Sequence, residues 1–134
     1  MSGYKHTHEV NIYYEDTDFT GAVYHANYLK YFERAREHIL GIDGLVKLYQ
    51  EEGVGFVVYK ANLTYKEPAK HGDRLEIRTT VTAESEYRLL FEQLAFRKST
   101  GKELVQGYLE LVCVNKENKL VKVPAQLLQM FKQV

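Results

Sequence analysis

The chain has 134 residues, the size of one ordinary domain, and 45% of them are hydrophobic, so disorder is not its default state. Lys plus Arg number 18 and Asp plus Glu 18, a zero balance that makes no electrostatic case for a nucleic-acid or anionic-membrane partner. The single cysteine, Cys113, excludes an intramolecular disulfide and fits a reducing compartment. Residues 1–11 are polar and charged without an apolar run of signal-peptide length, and no stretch approaches a membrane span. The expectation is a soluble, cytoplasmic protein of one domain, residues 1–134, with no direct membrane insertion.

His8–Tyr14 reads as a first strand, with Val10 and Ile12 alternating against polar neighbours. Glu15–His25 has turn formers and no sustained period, so it is a loop. Tyr28, Tyr31, Phe32, Ala35 and Ile39 fall at i, i+3, i+4, i+7 and i+11, one face of a long helix, with Asn27 as its N-cap and Gly41 as its stop. Asp43–Glu52 reads as a short second helix, capped by Asp43 and ended by Gly53.

The period then switches to two. Val57, Tyr59, Ala61, Leu63 and Tyr65 form an apolar face against Lys60, Asn62 and Thr64, until Pro68 ends the strand. After a turn at His71-Gly72-Asp73, Leu75, Ile77, Val81 and Ala83 alternate with polar residues. Arg88–Lys98 is a further strand, residues 99–102 a hairpin turn, and Glu103–Asn115 the last long strand, with Gly107 a candidate bulge. Pro124–Phe131 reads as a C-terminal helix with Pro124 near its first turn. No repeat or linker interrupts this order. It predicts an α+β fold in which one long helix is wrapped by an antiparallel sheet of about five strands. One helix cannot cover both faces and both edges of such a sheet, so dimerisation through an edge strand or the open face is expected.

The chemistry concentrates in residues 14–28, the loop that feeds the long helix. Free N–H groups at a helix N-terminus carry partial positive charge and can polarise a carbonyl oxygen. A carboxylate beside them can attack that carbonyl or activate a water to do so. Gly21 allows a tight turn and a close backbone approach to a ligand. Asp-x-Asp in a loop is also ordinary turn and cap chemistry, so Asp16 and Asp18 carry both readings. The five tyrosines at 13, 14, 24, 28 and 31 suit a half-wet wall, since the ring packs while the hydroxyl reaches a polar partner.

From Tyr14 to Arg36 the sequence follows the pattern Y-x-x-T-D-x-x-G-x-V-Y-H-x-x-Y-x-x-Y-x-E-x-A-R. This segment resembles the signature of the 4-hydroxybenzoyl-CoA thioesterase family, most of all the branch of short-chain acyl-CoA thioesterases encoded with the bacterial Tol–Pal system. The remaining chain fits in order and length, including the Glu67-Pro68-Ala69 and Gly72-Asp73 turns. The resemblance implies a single hotdog domain, acyl-CoA as substrate, and homodimers often paired into homotetramers. It places the catalytic carboxylate on Asp18, as nucleophile or general base, and the polarising donor at the His25 backbone N–H. The His25 side chain matches the Tol–Pal branch and is assigned an assisting role. Thr17, Gly21 and Val23 belong to the substrate-binding segment, and Tyr14 and Tyr24 to the acyl or pantetheine path. No metal and no cofactor are implied.

Asp16 reads as structural, an Asx-turn or helix-end contact. Tyr28 and Tyr31, at helical spacing, read as core. Glu33 and Arg36 match the family but suit an ion pair equally well. Asn62 and Thr64 are expected to meet the site across a dimer. His6-x-His8 lacks the companions of a metal site, and Cys113 reads as a buried strand residue. Arg88, Arg97, Lys98 and Lys102 suit either CoA phosphates or surface charge. The leading function is hydrolysis of acyl-CoA of short to medium chain length. The alternatives are an acyl carrier protein thioesterase and a non-catalytic acyl-CoA-binding or scaffold protein in a membrane-linked complex. A hotdog dehydratase is disfavoured, since its His and acid are arranged differently around the helix.

Overall fold

The computed structural model describes residues 3–132. Strand β1 (Tyr4–Asn11) leads through a single 3-10 turn (Tyr14–Asp16) and a loop into helix α1 (Asn27–Leu40). Helix α2 (Ile42–Lys47) follows and runs on as a wider π turn (Leu48–Glu52). The rest is strands β2 (Gly55–Tyr65), β3 (Arg74–Ala83), β4 (Arg88–Arg97), β5 (Lys102–Val114) and the two-residue β6 (Leu120–Val121), then helix α3 (Ala125–Lys132).

All pairings are antiparallel, in the order β1-β3-β4-β5-β2, with β6 added to β5. This is the α+β hotdog arrangement expected from the sequence. α1 lies across one face of the sheet, and alternation decides which side chains meet it. Leu75, Ile77 and Val81 of β3, Leu89, Phe91 and Ala95 of β4 and Leu109, Leu111 and Cys113 of β5 are buried with Tyr28, Tyr31, Phe32 and Ala35 of α1.

Two polar residues share this core. Gln93 is fully buried; its amide nitrogen donates to the Phe32 carbonyl at 2.9 Å and to Thr79 Oγ1 at 3.0 Å. Its amide oxygen accepts from an Arg36 guanidinium nitrogen at 2.9 Å. Arg36 therefore fastens α1 to β4 rather than pairing with Glu33, and burial lowers its pKa. Satisfying every member is what makes such a network tolerable in an apolar layer.

Several local expectations are corrected. The first strand starts and ends earlier, at Tyr4–Asn11, because its partner β3 extends that far and Tyr14–Asp16 is already a helical turn. Asn27 does not cap α1. Ala26 holds that place without a side-chain bond, and the Asn27 amide instead donates to the Asp16 carbonyl at 2.9 Å. Asp43 likewise makes no cap, since α2 begins at Ile42 directly after Gly41.

Gly107 stays in register with Leu63 and Gln93 on either side. The register shifts lie instead between Val58 and Lys60 and between Ala95 and Phe96. Gly107 is required by packing: a Cβ there would meet Phe32 Cε2 at 2.8 Å. The expected apolar face of β2 is not buried within the chain. Val57, Tyr59, Ala61 and Tyr65 are exposed and only Leu63 is half-buried, because β2 is the last strand of the sheet. No helix among the described residues is long and apolar enough to cross a membrane.

Candidate active site

The loop between β1 and α1 is a small hairpin closed by its own backbone. Thr17 and Val23 form an antiparallel bridge, the Asp18 N–H donates to the Ala22 carbonyl at 2.8 Å, and the Gly21 N–H donates back to the Asp18 carbonyl at 3.0 Å. The tip is thus Asp18-Phe19-Thr20-Gly21. Gly21 has φ +84°, a left-handed value that disfavours any Cβ although open space surrounds it. The turn, not close contact, requires glycine here.

At the tip, Asp18 Oδ1 accepts from the Thr20 N–H at 2.8 Å and from the Thr20 hydroxyl at 2.6 Å. These bonds hold the Asp18 carboxyl below its ordinary pKa, so it is ionised throughout the neutral range. Asp18 is exposed, and Phe19 beside it is fully so. Asp16 is half-buried and bonded within the loop: Oδ2 accepts from the Tyr13 N–H at 2.7 Å, and its carbonyl accepts from the Tyr24 N–H at 3.0 Å. The Thr17 hydroxyl donates to the Tyr14 carbonyl at 2.7 Å, a loop-forming contact.

From Tyr24 the chain turns into α1. Among the described residues no carbonyl accepts from the N–H of His25, whereas that of Asn27 is bound to the Tyr24 carbonyl. The His25 side chain is exposed, between the Tyr24 ring at 4.6 Å and the Tyr65 ring at 6.0 Å. Tyr65, at the end of β2, donates its hydroxyl to the His25 carbonyl at 3.1 Å. His25, Val23, Tyr28, Tyr65 and the segment Lys66–Pro68 line an open depression of about 200 Å³. The helix start thus offers a backbone N–H and an imidazole, groups that can polarise a carbonyl, and the Asp18 carboxylate lies on the hairpin tip that precedes it and does not itself line the depression.

The opposite wall is fixed by Arg97. Its guanidinium donates to Asp73 Oδ2 at 3.0 Å, Glu67 Oε2 at 2.7 Å and the Pro68 carbonyl at 3.0 Å. The loop that carries Asp18 rests on this wall, with the Val23 N–H bound to the Ala69 carbonyl at 2.8 Å and a bridge between Ala22 and Lys70. Arg97 and Lys102 (bound to Glu67), Lys98 (bound to Glu9) and Arg88 (bound to Glu110) are thus engaged within the chain. A second, larger cavity of about 480 Å³ lies by the C-terminal half of α1, lined by Arg36, Leu40, Phe56, Phe91 and Leu111 among others, and neither Asp18 nor His25 reaches it.

Of the residues singled out from sequence, Asp18, Thr17, Gly21, Val23, Tyr24 and His25 sit on this one loop and helix entry. Tyr14 is exposed at its foot, 5.8 Å from the His71 ring. Asn62 and Thr64 are exposed on β2, opposite Tyr108 and Gln106, and do not line the depression within one chain. Tyr65 and Thr20 are not singled out for this site by the sequence, and Arg97 reads there as a partner of CoA phosphates or as surface charge, not as a brace of this wall. Tyr65 looks like one more apolar strand position, Thr20 falls on an unspecified place of the motif, and a strand-end arginine carries no sign of its partners.

A sequence model described as the thioesterase-like superfamily matches residues 13–131. The acyl-CoA thioester hydrolase YbgC of Escherichia coli O157:H7 is 36% identical over 126 residues, covering 92% of this chain and 93% of that protein. Among solved structures, a probable thioesterase from Bartonella henselae superposes with a TM-score of 0.83 at 32% identity, over 90% of this chain and 100% of that one. Slr0204, a 1,4-dihydroxy-2-naphthoyl-CoA thioesterase from Synechocystis, superposes with a TM-score of 0.86 at 24% identity, over 95% of each chain, which speaks for the fold. With the match spanning nearly the whole chain and the loop, helix and sheet arranged as described, the protein belongs to the thioesterase-like superfamily.

Proposed function

We propose that this chain is one cytoplasmic thioesterase domain that hydrolyses acyl-CoA thioesters of short to medium chain length to the free acid and CoA. The observation that carries this reading is the ionised Asp18 carboxylate, on a loop that leads directly to the unbonded His25 N–H at the start of α1. The name of the Escherichia coli relative supports the substrate class. In the proposed reaction the thioester oxygen takes the His25 N–H, which stabilises the negative charge that develops there. Asp18 either removes a proton from the attacking water or attacks the carbonyl carbon itself, giving an acyl-aspartyl anhydride that water then opens. In both routes the C–S bond breaks and the CoA thiolate leaves and is protonated, the role proposed for His25 being to supply that proton. Tyr14, Tyr24, Val23 and Tyr65 flank the acyl and pantetheine path, with Thr17 and Gly21 shaping the loop.

The exposed β2 supports assembly as a homodimer, paired further into a homotetramer, in which Asn62 and Thr64 of one copy approach the site of another. The test is thiol release from acyl-CoAs of C2 to C16, with benzoyl and 4-hydroxybenzoyl-CoA, for the wild type and Asp18→Asn. Asp18→Asn is expected to lose at least ~10²-fold in turnover, as positioned acid–base groups contribute that much. Asp18→Asn protein with near-normal turnover would overturn the mechanism. Release from no CoA thioester would turn the case to a carrier-protein substrate or a scaffold.

A further inference from the structure

Asp18 has two carboxylate oxygens in unlike surroundings. Oδ1 accepts two hydrogen bonds, both from Thr20, the backbone N–H at 2.8 Å and the hydroxyl at 2.6 Å. Among the described residues no well-formed hydrogen bond falls on Oδ2, although the backbone N–H groups of Ala22 and of Asp18 itself lie near enough to the carboxyl to favour its charged form. The Thr20 side chain is exposed on the turn, and among the described residues its hydroxyl bonds to Asp18. The turn itself is closed by backbone bonds of Asp18 and Gly21 and by the φ of Gly21, none of which needs a hydroxyl at position 20.

We propose that Thr20 is a positioning residue that clamps Oδ1 of Asp18 and leaves Oδ2 as the oxygen that reacts. This rests on the reading of Asp18 as the catalytic carboxylate. A free carboxylate on an exposed turn rotates about both side-chain torsions and spends much of its time misaligned. Two donors on one oxygen fix both torsions at once, and the lone pairs of the other oxygen then point in one direction. Misplacement by even 1 Å lowers rates steeply when a reacting group must be aligned, which gives the clamp its value. The same two bonds stabilise the charged form. The carboxylate therefore stays ionised below the ordinary range, at some cost in basicity.

The test uses Thr20→Val, which keeps the β-branch and the N–H bond but removes the hydroxyl, and Thr20→Ser, which keeps the hydroxyl. Thr20→Val is expected to lower kcat about tenfold with KM changed by less than about twofold, and to move the acid limb of kcat/KM to higher pH. Thr20→Ser recovers most of the loss and returns the limb. A parallel carbon-13 NMR titration of the Asp18 carboxyl, identified by its absence in Asp18→Asn, reads the clamp without any substrate: its midpoint rises in Thr20→Val.

Wild-type kcat and an unmoved midpoint in Thr20→Val would overturn the clamp, as would Thr20→Ser behaving like Thr20→Val. Those failures leave the function standing as long as Asp18→Asn is inactive. A wild type that cleaves no thioester, or an active Asp18→Asn, sinks the reading of the site and the inference with it. The NMR midpoint then reports whether the hydrogen bonds alone exist.

Discussion

Replacing Gly107 with alanine puts one methyl group where the structure has no room. The new Cβ would lie 2.8 Å from Phe32 Cε2 and 3.3 Å from the Gln93 carbonyl oxygen. An ordinary carbon contact is ~3.5–4.0 Å, so the ring or the strand must move by about 1 Å. Phe32 is fully buried on α1, and the Gln93 oxygen is backbone of the adjacent strand, so neither yields freely. Overpacking of this kind costs ~1–3 kcal/mol. Alanine returns about 0.5–1 kcal/mol by stiffening the unfolded chain. The expected net loss is ~1–2 kcal/mol. At ~2.1 cal/mol/K per residue for a chain of 134 residues this lowers Tm by about 4–7 °C.

The assay is thermal or urea unfolding at one fixed protein concentration, because assembly would make Tm concentration-dependent. Phe32→Leu, alone and combined with Gly107→Ala, completes the cycle. If the clash is the cause, the double variant recovers about 1 kcal/mol relative to the sum of the singles. Gly107→Ala with wild-type stability, or single losses that add within ~0.5 kcal/mol, would refute the packing argument.

Two further outcomes are expected. His6 and His8 lie on β1 with His8 stacked on His38 of α1 at 4.6 Å; burial, then repulsion from His38, lowers the pKa of both, with Arg34 adding to His8 and Glu9 opposing. Their folded pKa values therefore lie below the unfolded ones, so the unfolded chain takes up protons first as pH falls through about 6.5. Urea midpoints should decline from pH 7.5 to pH 5 and flatten in His8→Gln; an identical slope in the variant would remove these histidines from the account. At the sheet edge, Tyr59→Lys places charge on the exposed rim of β2, and light scattering should show a smaller assembly with less thioesterase activity than wild type. An unchanged mass would show that β2 is not the contact.

The parts of the fold that were legible are those fixed by local pattern. Tyr28, Tyr31, Phe32 and Ala35 announce the buried face of α1 because a 3.6-residue period is visible in any window containing it. The alternation of β3 is equally plain, since one face of that strand is covered within the chain. β2 shows a similar alternation yet is exposed, because alternation records which face is apolar and not what covers it. Gly107 was read as a bulge because a strand glycine has two explanations, and only the position of Phe32 chooses between them. Gln93 sits in an apolar run in which nothing distinguishes a buried amide from an exposed one. For the site, the motif pointed to Asp18 and His25, whereas the hydrogen bonds of Thr20 and Arg97 depend on rotamers and on segments distant in sequence.

The hairpin that carries Asp18 is held at both ends by main-chain bridges, Thr17 to Val23 and Ala22 to Lys70. Main-chain bonds of this kind are available to almost any sequence. The Phe19 and Tyr24 side chains are exposed on this frame, which is closed by main-chain bonds, that of the Tyr24 N–H to the Asp16 carbonyl among them. The Asp18 carboxylate and the side chains around it are therefore separable in evolution. Exchange at positions 19 and 24 can reshape what the loop touches while the carboxylate stays in place, a route by which one scaffold acquires new acyl preferences in single steps.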